Sequence, residues 1–154
     1  ASAATTNSAR RKIVISIQRE PVERYVAVNQ FYNSIGYTLS AAEPDSVVVT
    51  ASRSNEIVGV VRTIVEEGIL VLRGMQISSA VQRQGIGTLM LRELDLHIGD
   101  RECFCSPHDW LNSFYGQIGF RQIADHEAPP HLYARLVGGR YKYPQLIVMK
   151  RERS

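Results

Sequence analysis

Apolar and polar residues alternate over short stretches in the first half of this chain. Four stretches alternate or are rich in β-branched residues, and they predict strands at residues 13–17, 46–52, 57–65 and 70–77. Polar turns at residues 54–56 and 66–68 connect the last three stretches. The pattern therefore predicts one strand, then a helix, then a three-stranded antiparallel meander.

Three longer stretches repeat apolar residues at helical spacing. The first begins at Pro21, which suits a first helical position, and ends at Gly36. The second begins at Gly85 and ends at Gly99. The third follows residues 107–109 and ends before a glycine. These stretches predict three amphipathic helices.

Short elements complete the second half of the chain. They are strands at residues 102–106, 120–123 and 145–150 and a helix at residues 132–137. Because no internal repeat or linker interrupts the elements, we predict a single α/β domain over residues 13–154. Residues 1–12 are small and polar, lack acids and end in three bases, which predicts a disordered tail. Whether this tail belongs to a targeting segment stays open.

Composition limits the class of protein. The chain has 154 residues and 44% hydrophobic content, which suffices for one globular domain with a core. No apolar run approaches the length of a bilayer span, so we predict no membrane crossing. The formal charge is +3, but six bases and one acid lie at the two ends, which leaves −2 on the remainder. This distribution argues against a nucleic-acid partner.

Cys103 and Cys105 are the two cysteines of the chain, too few for a disulfide framework. On a strand their side chains point to the same face, and we interpret them as small buried hydrophobic residues. Unpaired cysteines favour a reducing, cytoplasmic location.

The segment around Gly85 is the strongest candidate for chemistry, because it joins a predicted strand to a predicted helix. The first backbone N–H groups of a helix lack intrahelical acceptors, and glycines let an anion approach them. A dinucleotide fingerprint needs a third glycine where Met90 stands, and a P-loop needs a lysine beside Thr88. Both of these nucleotide classes are therefore disfavoured, and two glycines alone also fit a turn or tight helix–sheet packing.

Two motifs identify a family. Gln82-x-x-Gly85-x-Gly87 resembles the acetyl-CoA signature of the GNAT superfamily of N-acetyltransferases. The segment from Tyr115 to Phe120 is similar to that family's tyrosine-x-x-x-glycine-phenylalanine motif. The resemblance implies the GNAT-like acyl-CoA N-acyltransferase fold. That fold is an α/β (α+β) fold with a mostly antiparallel mixed sheet, splayed fourth and fifth strands, and flanking helices.

The resemblance implies acetyl-CoA as the co-substrate. Its pantetheine arm would lie between the splayed strands, and its diphosphate on the helix N-terminus. The cofactor-binding residues implied in this way are Met75, Gln76, Ile77, Gln82, Arg83, Gln84, Gly85, Ile86, Gly87 and Thr88.

The resemblance also implies direct attack of an amine on the thioester, with Tyr115 as general acid to the departing thiolate. A phenol with a pKa of about 10 is a suitable donor to a thiolate whose thiol has a pKa of about 8.5. The alternative is that Tyr115 only packs, because it borders a stripe of apolar residues at 111–118. No metal is implied.

The general base is not identified by the sequence. Many relatives place a glutamate on the strand before the turn, where this chain has Arg73 and Gln76 but no acid. His108 stands where many relatives carry a cofactor-contacting asparagine, and it is either catalytic or an ordinary loop histidine. The irregular stretch at residues 124–144, called the late loop below, contains further titratable residues. They are Asp125, His126, Glu127 and His131. Two close histidines are more often surface residues than metal ligands, so no metal site is predicted.

Three residues are selected for the acceptor side. Arg73 either binds a substrate carboxylate, or it faces solvent or pairs with Glu66 or Glu67. Tyr32 and Tyr133 lie in the first helix and the late loop, which shape the acceptor pocket in the family.

We therefore expect an acyl-CoA-dependent N-acetyltransferase that acts on a primary amine of a small molecule or peptide. The alternative is a non-catalytic CoA-binding or regulatory module of the same fold, because the strand glutamate is absent. A nucleic-acid-binding module that uses the arginine-rich ends is a further rival. The resemblance allows a homodimer.

Overall fold

The computed structural model of the protein describes residues 2–8, 11–37, 42–44 and 46–152. The strands are β1 (Ser2–Ser8), β2 (Arg11–Arg19), β3 (Val47–Arg53), β4 (Glu56–Glu66), β5 (Ile69–Ile77), β6 (Cys103–Cys105), β7 (Phe120–Ile123) and β8 (Val148–Arg151). The helices are α1 (Tyr25–Ser34), α2 (Ile86–Ile98), α3 (Asn112–Gly116) and α4 (Pro130–Gly139). The chain forms two compact units, Ala1–Val65 with Leu72–Gly99, and Glu66–Val71 with Asp100–Ser154.

The first unit contains the strand order β1-β2-β3-β4-β5. β1 pairs with β2, β2 with β3, and β3 with β4, all antiparallel. The turns at Ser54 and Asn55 and at Glu67 and Gly68 have positive φ angles, as tight hairpins require. The predicted meander is therefore present.

β1 was not predicted. The structure has a strand at Ser2–Ser8, within the stretch for which the sequence predicted a disordered tail. Its backbone pairs with β2 from Ser2↔Ile17 to Ser8↔Arg11. This pairing satisfies backbone N–H and C=O groups of both strands, and the composition of the segment does not reveal it. Residues 1, 9 and 10 of the predicted tail lie outside the described residues.

Helix α1 buries one face in the first unit. Val28 and Tyr32 on that face pack in a cluster with Val48 and Val60 of the sheet. Gly36, with φ +78°, follows the helix and its N–H donates to the Asn33 carbonyl oxygen. The predicted end of the helix is thus correct to within two residues.

Helix α2 packs against β2 and β3 in the same unit. The apolar side chains on its buried face are Ile86, Met90, Leu91, Leu94 and Ile98. Gly59 of β4 makes room for this helix, since a Cβ atom there would lie 3.0 Å from Met90 Cε. Gly99 ends the helix, as predicted.

The second unit contains the start of β5 followed by β6, β8 and β7. β5 and β6 pair in parallel at one register pair, Val71↔Phe104, whereas β6–β8 and β7–β8 are antiparallel. Helix α4 covers this sheet through Leu132 and Leu136, which are buried against Ile123.

The predicted fold class is confirmed: the sheet is mixed and mostly antiparallel, with helices flanking it. Because β1 adds a strand, the predicted strands four and five are β5 and β6. Cys103 and Cys105 are buried and form no disulfide within the described residues, and burial raises the pKa of the Cys105 thiol. Among the described residues, no helix has the length and apolar character needed to span a bilayer.

Candidate functional site

The first turn of α2 has the geometry of an anion site. Gly85 is its N-cap residue, with φ +77° and ψ 8°, a conformation that costs L-residues about 1–2 kcal/mol. Glycine has no side chain with which to cap the N–H groups of Ile86 to Thr88. Among the described residues, a Cβ atom at Gly85 would meet nothing within 4 Å, so the space at Gly85 itself is open. Uncapped donors and the positive end of the helix dipole both favour an anion here.

The turn before α2 is tied to the end of β5. Nε2 of Gln82 donates to the carbonyl oxygen of Ile77 at 2.9 Å, so the side chain of this motif glutamine binds the backbone at the end of β5. Arg83 has φ +64° and an exposed side chain, which puts a positive charge near the helix N-terminus. Ser78 N–H donates to the Val58 carbonyl oxygen at 2.8 Å and anchors the turn to β4.

The residues predicted to bind the cofactor differ in exposure. The half-buried residues are Met75, Gln76, Ile77, Gln84 and Thr88. The exposed residues are Gln82, Arg83 and Gly85, and the buried ones are Ile86 and Gly87. The buried side chain of Ile86 anchors the helix, so only its backbone N–H is suited to a ligand.

Tyr32, predicted to bind substrate, lies in the core of the first unit. It is 2% exposed, and its hydroxyl donates to the Gly74 carbonyl oxygen at 2.8 Å. Its ring packs on Tyr37, with centroids 4.6 Å apart, and the Arg62 guanidinium carbon lies 5.4 Å from its centroid. This burial places the ring among core side chains, and the predicted acceptor contact of Tyr32 stays a prediction.

Arg62 was not identified from the sequence. It is fully buried on β4, in a run of β-branched residues that predicted only a strand. No sequence pattern marks which residue of such a strand carries a buried charge. Arg73, the predicted substrate residue on β5, is half-buried. One partner suggested for it, Glu66, is bound by both terminal nitrogens of Arg135, at 2.9 and 3.1 Å.

In the second unit, Tyr115 lies on α3 and is 5% exposed. Its ring makes edge contacts with Phe114 and Phe120, with centroid distances of 5.0 and 6.1 Å. Gly119 has φ +94° and turns the chain into β7, which begins with Phe120. The spacing of the tyrosine-glycine-phenylalanine motif therefore reflects a helix, a glycine turn and a ring contact. Packing fixes the ring and is compatible with a catalytic hydroxyl.

His108 precedes this helix and lies in an aromatic environment. Its ring stacks on Trp110 at 4.3 Å between centroids, with 6° between the planes, and meets the edge of Tyr143 at 5.6 Å. Nδ1 of His108 is buried, and it has no hydrogen-bond partner within the described ranges. An imidazole nitrogen without such a partner retains its capacity to accept or donate a proton.

Three of the four titratable residues of the late loop make local contacts with nearby residues of the second unit. Asp125 receives a bidentate pair from Arg140, which lowers the pKa of its carboxyl. Glu127 accepts from the Ala124 N–H at 2.9 Å, and His131 Nδ1 lies 3.2 Å from a Glu67 oxygen. A carboxylate with a lowered pKa is a weaker base, so Asp125 is poorly suited to general-base catalysis.

No metal site appears among the described residues, where no group of three or more histidine, cysteine, aspartate or glutamate side chains is arranged to hold an ion. His131 lies beside Glu66 and Glu67. His126 is exposed on the loop before α4.

Comparison with known proteins gives a consistent family. The family model described as an acetyltransferase (GNAT) domain matches residues 20–129. Escherichia coli ElaA superposes with a TM-score of 0.63 at 16% sequence identity, covering 90% of this chain and 99% of its own. No curated protein matches the chain at a significant level.

Two other structurally similar proteins were crystallised with the cofactor. An aminoglycoside 6'-N-acetyltransferase complexed with coenzyme A has a TM-score of 0.61 at 14% identity, covering 88% of this chain and 95% of its own. A GNAT family acetyltransferase from Elizabethkingia anophelis with acetyl-CoA bound has a TM-score of 0.56 at 14% identity, covering 90% and 97%. At such identities the similarity shows the fold.

The Asp125–Arg140 pair makes a testable contribution to stability. Its carboxyl has a lowered pKa in the folded protein, so the stabilisation is present above the ordinary aspartate pKa and is lost as pH falls through the lowered value. We expect Asp125→Asn to destabilise the protein slightly at pH 7 and to match wild type in strong acid. Urea unfolding at several pH values measures this, and a difference that grows toward low pH would contradict it.

Proposed function

Because the chain belongs to the GNAT acetyltransferase family, we propose that it transfers an acetyl group from acetyl-CoA to a primary amine of a small molecule or peptide. The family match spans well over half of the chain and includes the β5–α2 junction. The observation that carries the proposal is the open, uncapped first turn of α2 after left-handed Gly85, within the matched segment.

The first unit supplies the residues proposed to hold acetyl-CoA. Backbone N–H groups from Gly85 to Thr88 bind the diphosphate, aided by the positive side chain of Arg83. The backbone of Met75 to Ile77 binds the pantetheine arm, which carries the acyl thioester to be cleaved. The end of β5 is half-buried, and the hydrogen bond from Gln82 holds the carbonyl group of Ile77 in place. A fixed backbone at this point supports the proposed role.

The second unit supplies the residues proposed for proton transfer. The acceptor nitrogen attacks the thioester carbonyl carbon, the carbon–sulfur bond breaks, and the Tyr115 hydroxyl protonates the departing sulfur. His108 receives the proton of the acceptor ammonium, directly or through water. The position of Tyr115 in the family motif supports the first assignment, and the buried Nδ1 of His108, without a hydrogen-bond partner among the described residues, supports the second.

The acceptor is proposed to be a small-molecule or peptide amine. An aminoglycoside acetyltransferase among the similar structures supports a small molecule. Arg73, half-buried on β5, is proposed to bind an acidic group of the acceptor, and Tyr133, 44% exposed on α4, to contact its body.

Titration calorimetry with acetyl-CoA, followed by a thiol-release assay over a panel of primary amines, tests the function. We expect saturable binding and coenzyme A release that depends on the amine. Binding without amine-dependent release would favour the alternative, a CoA-binding or regulatory module, which the absence of a strand glutamate motivates. Absence of binding would refute both.

The Tyr115 hydroxyl is tested by Tyr115→Phe, which keeps the ring that packs on Phe114 and Phe120. We expect kcat to fall about 100-fold, in the range typical of a lost general acid, with nearly unchanged affinity for acetyl-CoA. Tyr141→Phe is the control, because Tyr141 is 91% exposed in the same unit. A Tyr115→Phe enzyme with wild-type kcat would remove the general acid from the mechanism.

The diphosphate site is tested by Gly85→Leu, which puts a side chain into the open space beside the first turn of α2. We expect acetyl-CoA binding to weaken at least tenfold. Gly99→Leu is the control on the same helix, with φ +64° and ψ −131° at the C-terminal end and equally open surroundings. Gly99→Leu should destabilise the protein at least as much as Gly85→Leu does, and it should leave the affinity for acetyl-CoA intact. Equal affinity in both variants would rule out this site.

A further inference from the structure

A glycine in the middle of β5 and a buried tyrosine of α1 form one contact. Gly74 has φ +68°, although strand residues lie on both sides of it. A Cβ atom at this position would lie 2.5 Å from Tyr32 Oη and 3.2 Å from Tyr32 Cζ. Only glycine therefore allows both the left-handed backbone and the close approach of the phenol.

The Tyr32 side chain is held rigidly at this contact. Tyr37 packs on its ring, Arg62 lies over the ring, and Phe31 is 6.4 Å away between centroids. Burial raises the pKa of the Tyr32 hydroxyl far above its ordinary value, while Arg62 and Arg73 act in the opposite direction. The hydroxyl therefore remains a hydrogen-bond donor to the Gly74 carbonyl oxygen at neutral and alkaline pH.

The segment from Gly74 to Ile77 is consequently fixed by a side chain at each end. The Tyr32 hydroxyl binds the carbonyl oxygen of Gly74, and the Gln82 amide binds the carbonyl oxygen of Ile77. β5 is also hydrogen-bonded to its neighbour β4 in the sheet, which adds a third constraint to these two side-chain contacts. A backbone held at three points is pre-organised for a ligand.

We propose that Tyr32 is a positioning residue: by holding the Gly74 carbonyl, its hydroxyl sets the backbone of Met75 to Ile77 that receives acetyl-CoA. This inference rests on the proposed function for the identity of the ligand. It replaces the acceptor-binding role predicted for Tyr32 with an indirect role in co-substrate affinity.

Tyr32→Phe removes the hydroxyl and keeps the ring. The matched control is Tyr25→Phe, because Tyr25 is also buried on α1 and its hydroxyl donates to the Ser46 carbonyl oxygen at 2.8 Å. Each variant deprives one backbone carbonyl of a phenol donor, so both should lose similar thermal stability. Only Tyr32→Phe should accelerate hydrogen exchange at the amides of Met75 to Ile77.

Binding and kinetics complete the test. For Tyr32→Phe we expect the Kd and KM for acetyl-CoA to rise about tenfold, as expected for one lost positioning hydrogen bond, with kcat at saturation nearly unchanged. Tyr25→Phe should retain wild-type values. Wild-type affinity and exchange in Tyr32→Phe would overturn the inference, and so would equal losses of affinity in both variants, because these indicate a general structural effect.

If Tyr32→Phe does not fold, Gly74→Ala tests the same contact from the strand side. Its added methyl group displaces the phenol, so it should also weaken acetyl-CoA binding. Gly68→Ala is the control, with φ +82° and no atom within 4 Å of the added Cβ. Equal affinities in these two variants would overturn the inference.

Failure of the proposed function is a separate result. If the wild-type protein does not bind acetyl-CoA, the ligand named in the inference is wrong. The exchange measurement then still decides whether Tyr32 sets the backbone of β5.

Discussion

Burial of the apolar face of α2 is the interaction on which the proposed co-substrate site depends. Met90, Leu91 and Leu94 are fully buried, and a buried side chain of this kind contributes about 1.5–3 kcal/mol. Gly59 permits the close approach of Met90 to β4. Because the body of the helix is fixed in this way, its first turn does not depend on a side-chain cap from Gly85. Hydrophobic packing in one part of the helix thus fixes the direction of the backbone N–H groups in its first turn.

Glycines with positive φ angles recur where backbone groups have a specific task. Gly85 starts α2, Gly74 admits the Tyr32 hydroxyl, and Gly119 turns the chain from α3 into β7. At each position an L-residue would be strained, and at Gly74 it would also collide with the phenol. These glycines therefore determine the backbone conformation at each position, in addition to any side chain that carries chemistry.

Proton transfer is the part of the chemistry for which this chain departs from its family. β5 offers no acid, and Asp125 and Glu127 of the late loop are used in local structural contacts. His108 differs, because its buried Nδ1 has no hydrogen-bond partner in the part of the chain that is described. An imidazole nitrogen can accept a proton, which is the role proposed for His108.

The sequence by itself determined the local elements and the family, because periodicity, glycine positions and two motifs are properties of neighbouring residues. It located the start of α2 at Gly85, the buried cysteines of β6 and the position of Tyr115 on α3. Only the tertiary structure decided that Ser2–Ser8 forms a strand and that Tyr32 binds Gly74 rather than facing solvent. These outcomes depend on partners distant in sequence, such as Tyr32 and Gly74, which are 42 positions apart, and no local pattern encodes such contacts.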